Sequence, residues 1–191
     1  MADRLNHVLA AIDAVNGNDP GTDENGMARA LLYGRRMSEA LSNFAPQAPE
    51  TLRIAARAQH IERWIIPRSS YPEGRVAYLT WRKDLQKHHA LRTGDLMREA
   101  GYGEDDIGRV ASLLRKESLK HDADVQTLED VICLVFLEHE APEFIAKHDD
   151  AKVRDILAKT AKKMSPRGLE AASRLRMDAR LARLLAEALA S

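Results

Sequence analysis

Cysteine is almost missing from this 191-residue chain. Cys133 stands alone, which excludes an internal disulfide framework and any zinc or iron–sulfur site built on several thiolates. Aromatic side chains make up 5% of residues, leaving few platforms on which nucleic-acid bases could stack. Gly and Pro, at 10 and 7, are too few for a turn-rich β-sandwich. β-Branched aliphatics are also scarce: 9 Ile and 8 Val stand against 29 Ala and 23 Leu, so a large sheet is not expected. The longest apolar run, VICLVFL at 131–137, falls far short of the ~20 residues a membrane span needs. The start, MADRLNHVLAAIDAV, carries Asp3 and Asp13 and has no apolar stretch leading to a cleavage site, so no signal peptide is expected. What remains is rich in helix formers and charge. The expectation is a cytoplasmic, all-α protein: one domain over 1–191, built as a compact bundle of about eight helices.

Charge of one sign is missing overall, with 29 basic and 29 acidic side chains, yet it is segregated along the chain. Residues 1–52 carry net −3, 53–98 net +6, 99–150 net −9 and 151–191 net +6. Such blocks can neutralise one another when helices pack. Alternatively, the block at 53–98 and part of 151–191 line a site for a small anion such as a phosphate. A duplex-binding protein would show an overall basic balance, so no nucleic-acid partner is expected. No membrane partner is expected either.

Breaks fall at NGNDPGTDENG (16–26), APQAP (45–49), PRSSYPEG (67–74), GYGEDD (101–106), residues 121–124, 141–142 and 165–168. Helical patterns lie between them at roughly 3–16, 26–44, 50–66, 76–99, 105–119, 125–140, 143–163 and 166–190. Ser165 suits an N-cap and Pro166 the first helical position, so the helix at 166–190 is expected to dock on the domain. The loop IIPRSSYPEG interrupts the basic block, and loops of this kind carry function more often than helix interiors do.

Three helical faces combine residues capable of chemistry. On 50–66, Arg53, Arg57, His60 and Trp64 form a stripe with Arg63 at its edge. A histidine among arginines is disfavoured as a cation, and neutral imidazole can act as a metal ligand or base; it can equally be a part-buried side chain bonded to backbone. On 76–99 the stripe is Tyr78, Trp81, Arg82, Leu85 and His89, either a ligand wall or a core face whose polar tips reach water; His88 could replace His89 in either role. On 125–140 the centre is apolar all round, so Asp130 requires a partner: a neighbouring Arg or Lys, or a metal or catalytic cation.

The stretches APETLRIAARAQHIERW, KHHALRTGDLMREAGYGEDDIGRVASLL and LLRKESLKHDADVQTLEDVICLVFLE resemble, in order, parts of the HD superfamily of metal-dependent phosphohydrolases. That family is all-helical. The resemblance implies His60 as the His of the His-Asp pair and Asp130 as the final Asp, both holding a divalent metal. Tyr33 and Ile61 stand near the places of the first His and of the pair's Asp. The combination HIERW, PRSSYPEGRVAYLTWR, KHH, QTLEDVICLVFLEH and KKMSPRG is more specifically similar to the domain-of-unknown-function 4202 family, found in bacteria and fungi. Its members are sometimes labelled glutamyl-tRNA synthetase, an activity this chain is not expected to have, because it lacks a Rossmann core and its nucleotide signature.

Two functions follow as expectations. One is a metal-dependent phosphohydrolase for a nucleotide or small phosphate ester. His60 and Asp130 would hold the metal, His89 and Lys116 would serve catalysis, and Arg63, Arg68, Arg75, Arg82 and Lys163 would bind the anion. The other is a module that binds an anionic metabolite without turnover. Lower in rank stands an interaction protein using the amphipathic 166–190 helix, with an oligomer permitted.

Overall fold

The computed structural model describes residues 2–119 and 121–190. Among them are ten α-helices and no strand, so the chain is all-α. It divides into two compact units, Met1–Leu119 and Lys120–Ser191.

The first unit holds α1 (Ala2–Asn16), α2 (Arg29–Phe44), α3 (Glu50–Arg57), α4 (Arg75–Glu99) and α5 (Glu104–Arg115). Val8 and Ile12 of α1, Met37 of α2, Ile54 and Ala55 of α3, Met97 of α4 and Leu113 of α5 are almost wholly buried and form its core. Gly34 lets α2 and α3 approach closely, since a Cβ there would lie 2.8 Å from the Arg57 carbonyl oxygen. Charge ties α3 to α1 as well: Arg57 grips Asp13 with Nε and Nη2, at 2.6 and 2.7 Å. The break after α1 is an ordered loop. Asp19 accepts from Gly21 N–H and, with its other oxygen, from Ala30 N–H in the first turn of α2. The acids Glu104, Asp105 and Asp106 open α5, where they favour the helix dipole.

The helix expected at 50–66 stops at Arg57. Ala58 to Glu62 follow as turns, Glu62 takes a left-handed conformation (φ 50°), and a short 3-10 turn covers Arg63–Ile65. The interruption lets Glu62 reach α4, where its carboxylate meets His88 Nε2 at 2.9 Å and accepts from Arg92 Nε at 3.2 Å. The proposed stripe of Arg53, Arg57, His60 and Trp64 therefore does not exist as one helical face. Arg57 is committed to Asp13, and Arg53 donates to the Pro46 carbonyl.

The second unit holds α6 (Ala123–Val135), a π-helical stretch Phe136–Glu140, α7 (Ala141–Lys147), α8 (Asp150–Ala161), α9 (Pro166–Ser173) and α10 (Ala179–Ala190). Asp122 caps α6, accepting from Asp124 and Val125 N–H, and Asp149 caps α8, accepting from Lys152 N–H. Asp149 thus splits the helix expected at 143–163. The helix expected at 166–190 is also two. α9 ends at Ser173, the chain runs without helix past Arg176, and Asp178 accepts from Leu181 N–H to begin α10. Arg180 then ties α10 to the turn before α8, donating to the carbonyls of Ile145 and His148 and to Asp150.

Candidate functional site

In the first unit the turn after α3 and the inner face of α4 place imidazole and guanidinium groups together. His60 sits in that turn, part-buried, with its ring flat against Tyr33 of α2: the centroids are 3.6 Å apart and the planes differ by 11°. Burial and the nearby Arg63, His89, Lys116 and Arg82 hold its pKa well below the ordinary histidine value. Arg63 lies over the Trp81 ring, 4.7 Å from its centroid, and Trp81 Nε1 donates to the Ile66 carbonyl at 2.8 Å. That pair fixes the loop leaving His60 against α4.

On α4 the expected stripe holds its inner part. Trp81, Leu85 and His89 are buried, Arg82 is part-buried, and Tyr78 at the outer end is exposed, with the Arg82 guanidinium 6.0 Å from its ring centroid. His89 is 4% exposed, and its Nε2 has no hydrogen-bond partner. Burial first, then Arg63 and His88, push its pKa down to about 3. One turn further along α4, the fully buried Thr93 hydroxyl is likewise unpartnered. His88 does not stand in for His89, because its ring is held by Glu62. Lys116 follows α5 in a left-handed conformation (φ 55°), a backbone placement that ends that helix.

The remaining residues singled out in the sequence fall elsewhere. Arg68 is spent on its own loop, donating to the Tyr71 carbonyl at 2.8 Å and lying 3.8 Å from Glu73. Arg75 is exposed at the first position of α4. Ile61, near the place of the pair's Asp, is fully buried. Lys163 and Asp130 belong to the second unit. Lys163 lies 4.0 Å from the buried Glu129 and gives its carbonyl to the Gln126 side chain. Asp130 is buried at 2% exposure and accepts from three donors: Ser165 N–H (2.8 Å), Ser165 hydroxyl (2.6 Å) and Gln126 Nε2 (3.2 Å). The Ser165 hydroxyl oxygen in turn accepts from Gly168 N–H, so Ser165 is the N-cap of α9 as the sequence indicates.

Sequence reasoning missed the Tyr33–His60 stack, since nothing in either residue's local pattern marks a partner 27 positions away. It also missed Asp130 as the support of the α9 cap. Among the described residues, no three His, Cys, Asp or Glu side chains are grouped so as to hold a metal ion, and no helix is long and apolar enough to cross a membrane.

No curated protein and no solved structure matches the chain. One family model does, the domain of unknown function DUF4202, over residues 6–185. With that match running through both units, from α1 into α10, the chain belongs to the DUF4202 family.

Proposed function

We propose that the first unit binds a small phosphate-bearing anion at the cluster around His60, without a metal and without turnover. The observation that carries this reading is the buried, unpartnered His89 Nε2 beside a stacked imidazole, with Arg63, Arg82 and Lys116 acting on the same spot. A buried polar atom without a partner is costly unless a bound group completes it. The surrounding charge selects that group. Three cations near neutral imidazoles favour an anion, and guanidinium forks match phosphate oxygens. A divalent cation placed there would be repelled by the same groups.

Acid–base catalysis draws less support. An imidazole with a pKa near 3, like that of His89, is a weak base at neutral pH, far from the range where proton transfer is efficient. On an HD-like scaffold, Tyr33 would then replace the first metal-binding His, and Ile61 the pair's Asp. On that reading the imidazole is kept, while stacking and packing stand at two of the ligand positions.

Calorimetry and thermal unfolding with inorganic phosphate, pyrophosphate and nucleotides test the proposal, each with and without a chelator. Expected is saturable stabilisation by a phosphate-bearing ligand that survives chelation, by the mass-action relation for a ligand of the native state. It should be lost in Arg63→Ala and His89→Phe. Chelator-sensitive binding, release of phosphate from the bound ligand, or no binding to any member of the panel overturns it.

A further inference from the structure

The outer face of α4 is built differently from its inner one. Val76 is 81% exposed and Leu79 46% exposed, in the first two turns of a 25-residue helix. At 100° per residue Leu79 sits at the centre of this face, with Arg75 and Arg82 on one flank and Val76 and Lys83 on the other. Arg75 and Lys83 are exposed, and among the described residues neither has an ion-pair partner. Two acids lie nearby: Asp84 accepts from the Tyr71 hydroxyl at 2.9 Å with Lys87 beside it, and the exposed Glu73, just before the helix, lies 3.8 Å from Arg68, so neither pairs with Arg75 or Lys83. The helix start adds to the imbalance. Gly74 offers no capping side chain, the first turn has no acidic residue, and Arg75 faces the positive end of the helix dipole.

We propose that this face is a docking surface for an anionic lipid bilayer. Leu79 and Val76 would enter the interface, and the flanking Arg75 and Lys83 would reach the headgroup phosphates. Two features select this occupant. Leu79 at the centre and Val76 at the edge gain nothing from a nucleic-acid backbone, whereas exposed aliphatics are the part of an interfacial helix that enters the acyl boundary. Cations flanking an apolar strip, rather than opposite it, can keep their charge in the headgroup layer while their stems follow the aliphatics down. The face belongs to a convex helix, so a protein partner would have to bring an acidic groove of its own. Association at a surface departs from the expectation of no membrane partner; the exposure that motivates it is visible only once α4 is packed.

The test is flotation of the full chain with vesicles of phosphatidylcholine alone or mixed with phosphatidylglycerol, at low and high salt. Binding is expected only to the mixed vesicles, weakened by salt. It should fall roughly tenfold or more in Arg75→Glu/Lys83→Glu, and comparably in Val76→Glu/Leu79→Glu. These side chains are exposed, so unchanged circular dichroism and melting temperature will show that both variants remain folded. Equal binding to neutral vesicles, no binding to either, or variants that bind like the parent chain overturn the proposal. Loss of vesicle binding together with saturable capture of an acidic, apolar-faced peptide would assign the face to a protein instead. Phosphate binding at the His60 cluster is unaffected by either outcome.

Discussion

Ser165 gives both its backbone N–H and its hydroxyl hydrogen to one carboxylate, that of Asp130. The hydroxyl oxygen also accepts from Gly168 N–H, so the cap of α9 and the buried acid of α6 form one connected unit. Asp130→Ala orphans the Ser165 donors at a site 2% exposed and removes one of the two acceptors of the Gln126 amide, which keeps the Lys163 carbonyl. The expected loss is about 3 kcal/mol of unfolding free energy in denaturant titration. Ser165→Ala should cost about 1–2 kcal/mol, and the double variant less than the sum, because the two changes remove the same bonds. Gly168→Ala offers an independent check. A Cβ at that position would lie 2.5 Å from Asp130 Oδ1, so destabilisation comparable to Ser165→Ala is expected. Additive single and double effects would show that the carboxylate and the cap act separately.

Acid should weaken the first unit before carboxylates protonate. His60 and His89 are both held below the ordinary value of about 6.5, His89 down to about 3. Between those limits the unfolded chain binds protons that the folded one refuses, so stability rises with pH up to about 6.5 and is lost as pH falls below it. His89 alone contributes a slope of up to about 1.4 kcal/mol per pH unit in that window. His89→Phe should flatten the profile between pH 4 and 6. A variant as acid-sensitive as the parent would place the origin of the slope elsewhere.

Long-period patterns were legible and long-range partners were not. The inner stripe of α4 could be read because a 25-residue helix repeats its faces several times, and Trp81, Leu85 and His89 are buried as that repeat requires. Ser165 could be read because a cap acts within three residues. Helix ends failed where side chains reach far. Glu62 leaves helical geometry in order to meet His88 and Arg92, 26 and 30 positions on, and no local propensity encodes that preference. The apolar surroundings of Asp130 in the sequence demand a partner, but a backbone N–H and a hydroxyl 35 positions away satisfy it, and such donors are invisible to a search for opposite charges. For the candidate site, the residue types around His60 could be picked out, while their convergence depended on a turn that a continuous helix would have abolished.

The break between α9 and α10 depends on Asp178. Its carboxylate accepts from Leu181 N–H, and the residues after α9 leave helical geometry before it. Asp178→Ala should cost about 1 kcal/mol through the lost cap. A larger effect is expected from Arg180→Ala, which releases the carbonyls of Ile145 and His148 and one oxygen of Asp150 together. Measured by hydrogen exchange, the loss of protection should concentrate in α10 and in the turn between α7 and α8. Uniform loss across the second unit would mean that these contacts open only with the whole unit.

Tyr33 stacks on the His60 imidazole, whose burial is the largest cause of that ring's depressed pKa. Removing the aromatic plane should therefore raise the His60 pKa toward 6.5, because water regains access to the charged form while Arg63 and Lys116 still oppose it. Tyr33→Phe keeps the plane and should leave the pKa where it is; Tyr33→Ala should move it upward and cost about 1–3 kcal/mol of stability. Proton-coupled carbon shifts of the His60 ring, followed across pH 3 to 8, read the change directly. The two variants should also part in phosphate affinity: a ring left free to rotate no longer presents its nitrogen to the cluster, so Tyr33→Ala should bind phosphate more weakly and Tyr33→Phe as tightly as the parent. A His60 pKa that stays low in Tyr33→Ala would transfer the cause from desolvation to the surrounding cations, and the cluster would then be more strongly electropositive than the stack alone suggests.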